Sequence, residues 1–236
     1  VLNSTAVTKD RGALCPPIAD GRIDTRSVAA ANREFDLSDR DFRRIVKKIY
    51  SEAGIVLGEQ KRDMVIRRLS KRVRACQLSG FDRYMDKVES GDKVELEQFR
   101  NALTTNLTSF FREAHHFDRL KQYFAEHGSQ RSYRIWSAAS STGEEPYSIA
   151  MTAVEHFRTE RPPVRILCTD IDSEVVNTAS QGIYTMERVE SLSLERKQRF
   201  FLRGAGSNDG LVKVSPALQG FMQFRTMNLL AARGFD

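Results

Sequence analysis

The chain has 236 residues, of which 40% are hydrophobic and 29% charged, and it carries a net charge of +6. That length buries one large core or two modest ones, and the balance excludes disordered and fibrous classes. No window reaches the roughly 18 consecutive apolar residues of a membrane span, and Val1 to Asn32 has no apolar leader core, so a cytoplasmic protein without membrane insertion is expected.

Residues 1–33 read as a flexible tail, with Gly12, Pro16, Pro17 and Gly21 and no periodicity. The first helix follows. Ser38 is placed to cap it, Leu37 to staple onto Phe42, and Phe42, Ile45, Val46 and Ile49 recur at helical spacing until Gly54. A second helix, about Glu59 to Gln77, has the stripe Val65, Ile66, Leu69, Val73 and Cys76. Between Lys61 and Arg74 it carries seven basic residues against one acid, Asp63, an excess equal to that of the whole chain. A third helix holds Phe81, Tyr84, Met85 and Val88, and a fourth Leu96, Phe99 and Leu103. Residues 34–104 are therefore expected to form an all-α N-terminal domain.

The texture changes after Thr104. A polar loop, Thr105–Ser109, leads into a predicted helix with Phe110, Phe111, Phe117 and Leu120, in which the first two are read as core. A strand at Tyr133–Ala138, a small-residue turn, a helix from Pro146, a strand at Val164–Thr169 closing on Asp170, and a helix at Ser173–Ser180 follow. That alternation predicts an α/β unit with a parallel sheet over residues 105–236. About 184–220 does not fit it. Strands at Gln198–Arg203 and Leu211–Val214 around Gly204, Gly206 and Gly210 predict an inserted antiparallel β-subdomain. A strand at Phe221–Thr226 leads to Asn228-Leu229-Leu230.

Ligands of open α/β sheets bind at the carboxyl ends of the strands. The first such place is Ser137–Pro146, whose small side chains let a ligand approach the backbone. It lacks G-x-G-x-x-G, and Glu144 and Glu145 would repel a pyrophosphate at the helix start. They suit a cationic, phosphate-free ligand such as S-adenosylmethionine. Asp170 is placed to accept from ribose hydroxyls. Taken singly, these acids would only favour the helix dipole or sit in a loop; together they favour an adenosyl ligand.

The stretches TNLTSFFRE (Thr105–Glu113), WSAASSTGEEPY (Trp136–Tyr147), TDID (Thr169–Asp172), Gly182-Ile183-Tyr184, RFFLRGAGSNDGLVKV (Arg199–Val214) and Asn228-Leu229-Leu230 resemble, in order, the signatures of the CheR-type chemotaxis receptor methyltransferase family. The resemblance implies a Rossmann-like S-adenosylmethionine-dependent methyltransferase domain with a small antiparallel insertion, preceded by the helical domain. It also implies that Asn106, Thr108, Arg112, Ala139, Glu145, Asp170, Asn228 and Leu229 line the cofactor site, with Arg112 as the candidate catalytic residue. The family's pattern continues past Asn228-Leu229-Leu230, so the domain is expected to be C-terminally incomplete.

The implied reaction esterifies glutamates on cytoplasmic helices of methyl-accepting receptors, releasing S-adenosylhomocysteine. Arg68, Lys71 and Arg72 on the basic helix are the expected receptor-docking residues, with a solvated helix face as the plain alternative. Gly204, Gly206 and Gly210 resemble the subclass that tethers a receptor C-terminal peptide. A non-catalytic S-adenosylmethionine- or S-adenosylhomocysteine-binding docking module is the alternative function. Nucleic acid is disfavoured because no aromatic residue interleaves the basic helix. Cys15, Cys76 and Cys168 have neither disulfide nor zinc spacing, and no metal is expected.

Overall fold

A computed structural model describes residues 34–128 and 130–231. The expected tail, Cys15 and positions 232–236 lie outside the described residues. The first helix, α1 (Asp39–Ala53), starts where Ser38 accepts from the Asp41 amide and donates to the Asp41 carboxylate. It ends at Gly54, whose φ of 67° is the left-handed turn that favours glycine. α2 (Arg62–Ala75) starts later than the periodicity suggested, because Glu59–Lys61 forms a 3-10 turn with no side-chain cap at Gly58. α3 (Phe81–Glu89) and α4 (Lys93–Leu103) complete the helical unit. The stripes converge on one core around Phe42, Ile45, Leu69, Tyr84 and Phe99.

A second core begins at Phe110. α5 (His115–His127) starts after Phe110 and Phe111, which lie in the preceding turn and not in the helix as expected. Phe111 and Glu113 have φ of 54° and 55°, which α-helix excludes. β1 (Tyr133–Ser137), α6 (Glu144–Phe157), β2 (Val164–Asp170) and α7 (Ser173–Gln181) follow, and β6 (Met222–Thr226) returns to the same sheet. The three strands are parallel in the order β1-β2-β6, so the ends of β1 and β2 open on one edge. Tyr147, Met151, Val164 and Ile166 pack between α6 and the sheet.

The insertion differs from the expected hairpin. β3 (Ile183–Thr185), β4 (Phe201–Arg203) and β5 (Leu211–Val214) form an antiparallel sheet in the order β3-β5-β4. Gln198–Phe200, expected as strand, ends a helix, α8 (Leu194–Phe200), which Ser193 caps by accepting from the Arg196 amide. A capped run of Glu195, Arg196 and Lys197 favours a helical turn over the following apolar pair. α9 (Pro216–Gln219) is a single turn before β6. Among the described residues no helix is long and apolar enough to cross a membrane.

Candidate functional site

The loop between β1 and α6 is built from both sides of the sheet edge. The Ser140 amide donates to the Thr169 carbonyl at 2.8 Å, and the Ser141 amide to Asp170 Oδ2 at 2.8 Å. The other Asp170 oxygen accepts from the Asp172 amide at 3.0 Å. A carboxylate with one backbone donor on each oxygen is held rigidly and keeps lone pairs for a ligand. Gly143 has φ of 100°, and a Cβ there would lie 2.8 Å from the Tyr184 hydroxyl and 2.9 Å from Ala179 Cβ. Both conformation and space therefore demand glycine.

Two adjoining cavities lie over this loop. One, of about 490 Å³, is bounded by Asn106, Thr108, Arg112, Ala139, Glu145 and Asp170, with Ile55 and His116 also reaching it. The other, of about 300 Å³, is bounded by Gly54, Ala138, Met227, Asn228, Leu229 and Leu230. Ala139, Asp170 and Ile171 border both. The eight residues expected around a cofactor thus meet on one continuous surface. Its chemistry fits S-adenosylmethionine: an acid between the two cavities, small alanines beneath, an apolar patch at Met227 and Leu229, and a second acid, Glu145, at the other end.

The two adjacent glutamates separate. Glu145 faces the cavity and accepts from the Ser137 hydroxyl at 2.8 Å. Glu144 is fully buried, accepts from Thr142 Oγ1 at 2.6 Å and is ion-paired with Arg188 of the insertion. The expectation that both acids favour a cationic ligand is therefore corrected to one, because Arg188 neutralises the other. Asn228 also differs in detail. Its amide donates to the Glu52 carbonyl at 2.7 Å, and its side-chain oxygen accepts from the Leu230 amide at 3.0 Å. That bond joins the end of α1 to the chain beyond β6, so the helical unit walls the second cavity.

Asn106 is oriented by a residue outside the expected set. Its amide donates to Asp172 Oδ2 at 2.8 Å, and the Thr104 hydroxyl donates to the same oxygen at 2.7 Å. Asp172 also caps α7 through the amides of Glu174 and Val175. An aspartate two positions after the strand's terminal acid, just before a helix, carried the cap signal but not the orienting role. Arg112 is exposed, borders the same cavity and donates to the Leu107 carbonyl at 3.0 Å.

The expected docking residues are not alike. Arg72 holds Glu95 in a bidentate pair at 3.0 and 2.8 Å, and Glu95 is 4% exposed. The Tyr84 hydroxyl adds 2.8 Å and the Cys76 thiol 3.2 Å to the same carboxylate. Burial opposes ionisation of Glu95, but the hydrogen bonds from Arg72, Tyr84 and Cys76 outweigh it and hold its pKa below the ordinary value. Arg68 donates to the Thr104 and Ala102 carbonyls at the end of α4. Lys71 remains exposed, and all three border a shallow groove of about 720 Å³ that reaches Asn106 and Leu107. Of the Arg72 guanidinium, Nε and Nη2 are engaged by Glu95, while the side chain still borders the groove.

In the insertion, a Cβ on Gly204 would lie 2.1 Å from the Asn208 carbonyl, and Gly206 and Gly210 have φ of 62° and 80°. These glycines shape the loop between β4 and β5. The parallel sheet, the acid at a strand end and the phosphate-averse loop together define an α/β protein that binds an adenosyl ligand.

Comparison with known proteins narrows that class. A family model described as "CheR methyltransferase, SAM binding domain" matches residues 106–236, and one described as "CheR methyltransferase, all-alpha domain" matches 40–104. A "Chemotaxis protein methyltransferase" of Salmonella typhimurium is 48% identical over 197 residues, covering 82% of this chain and 67% of that protein. The protein of that name from Escherichia coli is 48% identical over 198 residues, covering 83% and 68%. "Chemotaxis protein methyltransferase 2" of Pseudomonas aeruginosa is 44% identical over 212 residues, covering 88% and 74%. The chain belongs to the CheR methyltransferase family, and S-adenosylmethionine is its cofactor.

Proposed function

We propose that the protein transfers a methyl group to glutamate side chains on the cytoplasmic helices of chemotaxis receptors, forming γ-glutamyl methyl esters. The observation that carries this reading is that Arg112, Glu145 and Asp170 border one cavity, which a basic groove adjoins. The cofactor supplies an electrophilic methyl group. A glutamate of pKa about 4.3 is already an anion near neutrality, so its attack needs no general base. The chain's residues then have to orient and exclude water. Asp170 and Glu145 hold the hydroxyl-bearing and cationic ends of the donor. Arg112 receives the incoming carboxylate, and Lys71 with the rim of the groove draws acidic helices toward it.

The edge strand β4, with Leu202 exposed and no strand beyond it among the described residues, supports tethering of an extended receptor tail. Incubation with tritiated S-adenosylmethionine and receptor-containing membranes tests the main reading. Base-labile label in the receptor band is expected. Binding of S-adenosylhomocysteine without any label transfer would favour the non-catalytic docking module. Arg112→Ala is expected to lower methyl transfer at saturating S-adenosylmethionine at least tenfold, about 1.4 kcal/mol. Unchanged turnover would remove Arg112 from the reaction.

A further inference from the structure

The insertion contacts the elements behind the cofactor cavity through two arginines, Arg188 and Arg196. Arg188 follows β3 in a short 3-10 turn. Its guanidinium pairs with the buried Glu144 and donates to Thr142 Oγ1 at 3.1 Å. Nearby, the Tyr184 hydroxyl donates to the Thr142 carbonyl at 2.7 Å. Thr142 and Glu144 flank Gly143, so the insertion fixes the second half of the cofactor loop, as Asp170 and Thr169 fix the first. Glu145, which faces the cavity, is the next residue.

Arg196 on α8 makes the second contact. It pairs with Glu155 through bonds of 2.7 and 2.8 Å, and its guanidinium lies 3.8 Å from the centre of the Phe111 ring. Glu144 begins α6 and Glu155 lies in its last turn. Phe111 precedes Arg112 and is further fixed by its amide donating to Ser148 Oγ at 2.9 Å. The two arginines thus grip α6 at both ends, and each backs a different wall of the same cavity.

We infer that the insertion braces the cofactor cavity: Arg188 is a positioning residue for the cofactor loop through Glu144, and Arg196 one for the Arg112 turn through Phe111. The inference rests on the cavity being the S-adenosylmethionine site. Its physical basis is that an unpaired buried carboxylate is strongly unfavourable. With Arg188 gone, Glu144 keeps only its bond from the Thr142 hydroxyl, and a carboxylate that swings out toward water displaces the loop beside Glu145. Loss of Arg196 frees the Phe111 ring without touching the loop.

Calorimetric titration of the full chain with S-adenosylhomocysteine, alongside thermal melts, tests this. Arg188→Ala is expected to weaken binding by about tenfold or more, with Arg188→Lys recovering most of the loss. The double variant E144Q/R188M is expected to bind more tightly than Arg188→Met alone, because it strands no charge. Arg196→Ala is expected to keep affinity within about threefold while lowering kcat for methyl transfer. Wild-type affinity in Arg188→Ala, or lysine and alanine variants equally weak, would overturn the role of Arg188; an unchanged kcat in Arg196→Ala would overturn that of Arg196. Should an Arg188 single variant fail to melt cooperatively, the double variant decides: binding no tighter than background there overturns the role of Arg188. Failure of the wild-type chain to bind S-adenosylhomocysteine would instead overturn the cofactor-site reading.

Discussion

The helical unit and the α/β unit each bury one glutamate against one arginine, and the pairs hold different things. Glu95 ties Arg72 of α2 to α4 within a single core. Glu144 ties Arg188 of the insertion to a loop that borders a cavity. The first pair fixes one helix against another and leaves Lys71 outside. The second holds the loop at the start of α6, with the neighbouring Glu145 facing the cavity. Similar chemistry therefore joins two helices in one region and, in the other, an insertion to a loop beside a cavity.

That contrast can be broken at either end. The largest effect is expected from Glu95→Ala, which strands the Arg72 guanidinium and should cost about 3–5 kcal/mol of stability in urea denaturation. The same pair sets a pH limb. Because the folded pKa of Glu95 is lowered, its stabilisation is fully present above the unfolded value of about 4.3 and is lost as pH falls through the folded value. Melts below about pH 5 should show the loss, and Glu95→Gln should flatten it. A steep acid limb in Glu95→Gln would assign the titration to another carboxylate.

Asp170→Ala comes next. It removes the acceptor shared by the Ser141 and Asp172 amides and should weaken S-adenosylhomocysteine binding about a hundredfold, near 3 kcal/mol. Calorimetry measures it, and stability should change less than in Glu95→Ala. Equal damage to stability in both variants would erase the distinction between the two regions. Lys71→Glu sharpens the comparison with the smallest change. The receptor KM should rise about threefold at low salt and the difference should fade at high salt, as for an exposed charge. A salt-independent effect would point to packing instead.

Much of this architecture was legible in the chain. The stripes of α1 to α4, the cap at Ser38 and the stop at Gly54 are local signals, written within one or two turns. The ends of β1 and β2 and the small residues between Ser137 and Gly143 marked the ligand edge, and the cavity formed there. Less legible was the insertion. Gln198–Phe200 reads as apolar strand, yet the Ser193 cap and the polar run after it continue a helix to Phe200. β3 has only Ile183–Thr185, too short for a period to declare itself.

By itself the sequence determined the element types outside the insertion and the turn at Phe110, the parallel character of the main sheet and the absence of a phosphate-binding glycine loop, because periodicity and turn chemistry act between near neighbours. Tertiary structure decided which of two adjacent glutamates faces the cavity, and that Arg72 turns inward while Lys71 does not. It also joined the end of α1 to the cavity through Asn228 and Glu52, 176 positions apart. Such pairings depend on where distant backbone segments come to rest, and no local pattern encodes them. The segment Ser137–Tyr147 with Asp170 thus declares a ligand on its own. The contacts of the insertion, Arg188 with that segment and Arg196 with Glu155 and Phe111, are visible only once the chain is folded.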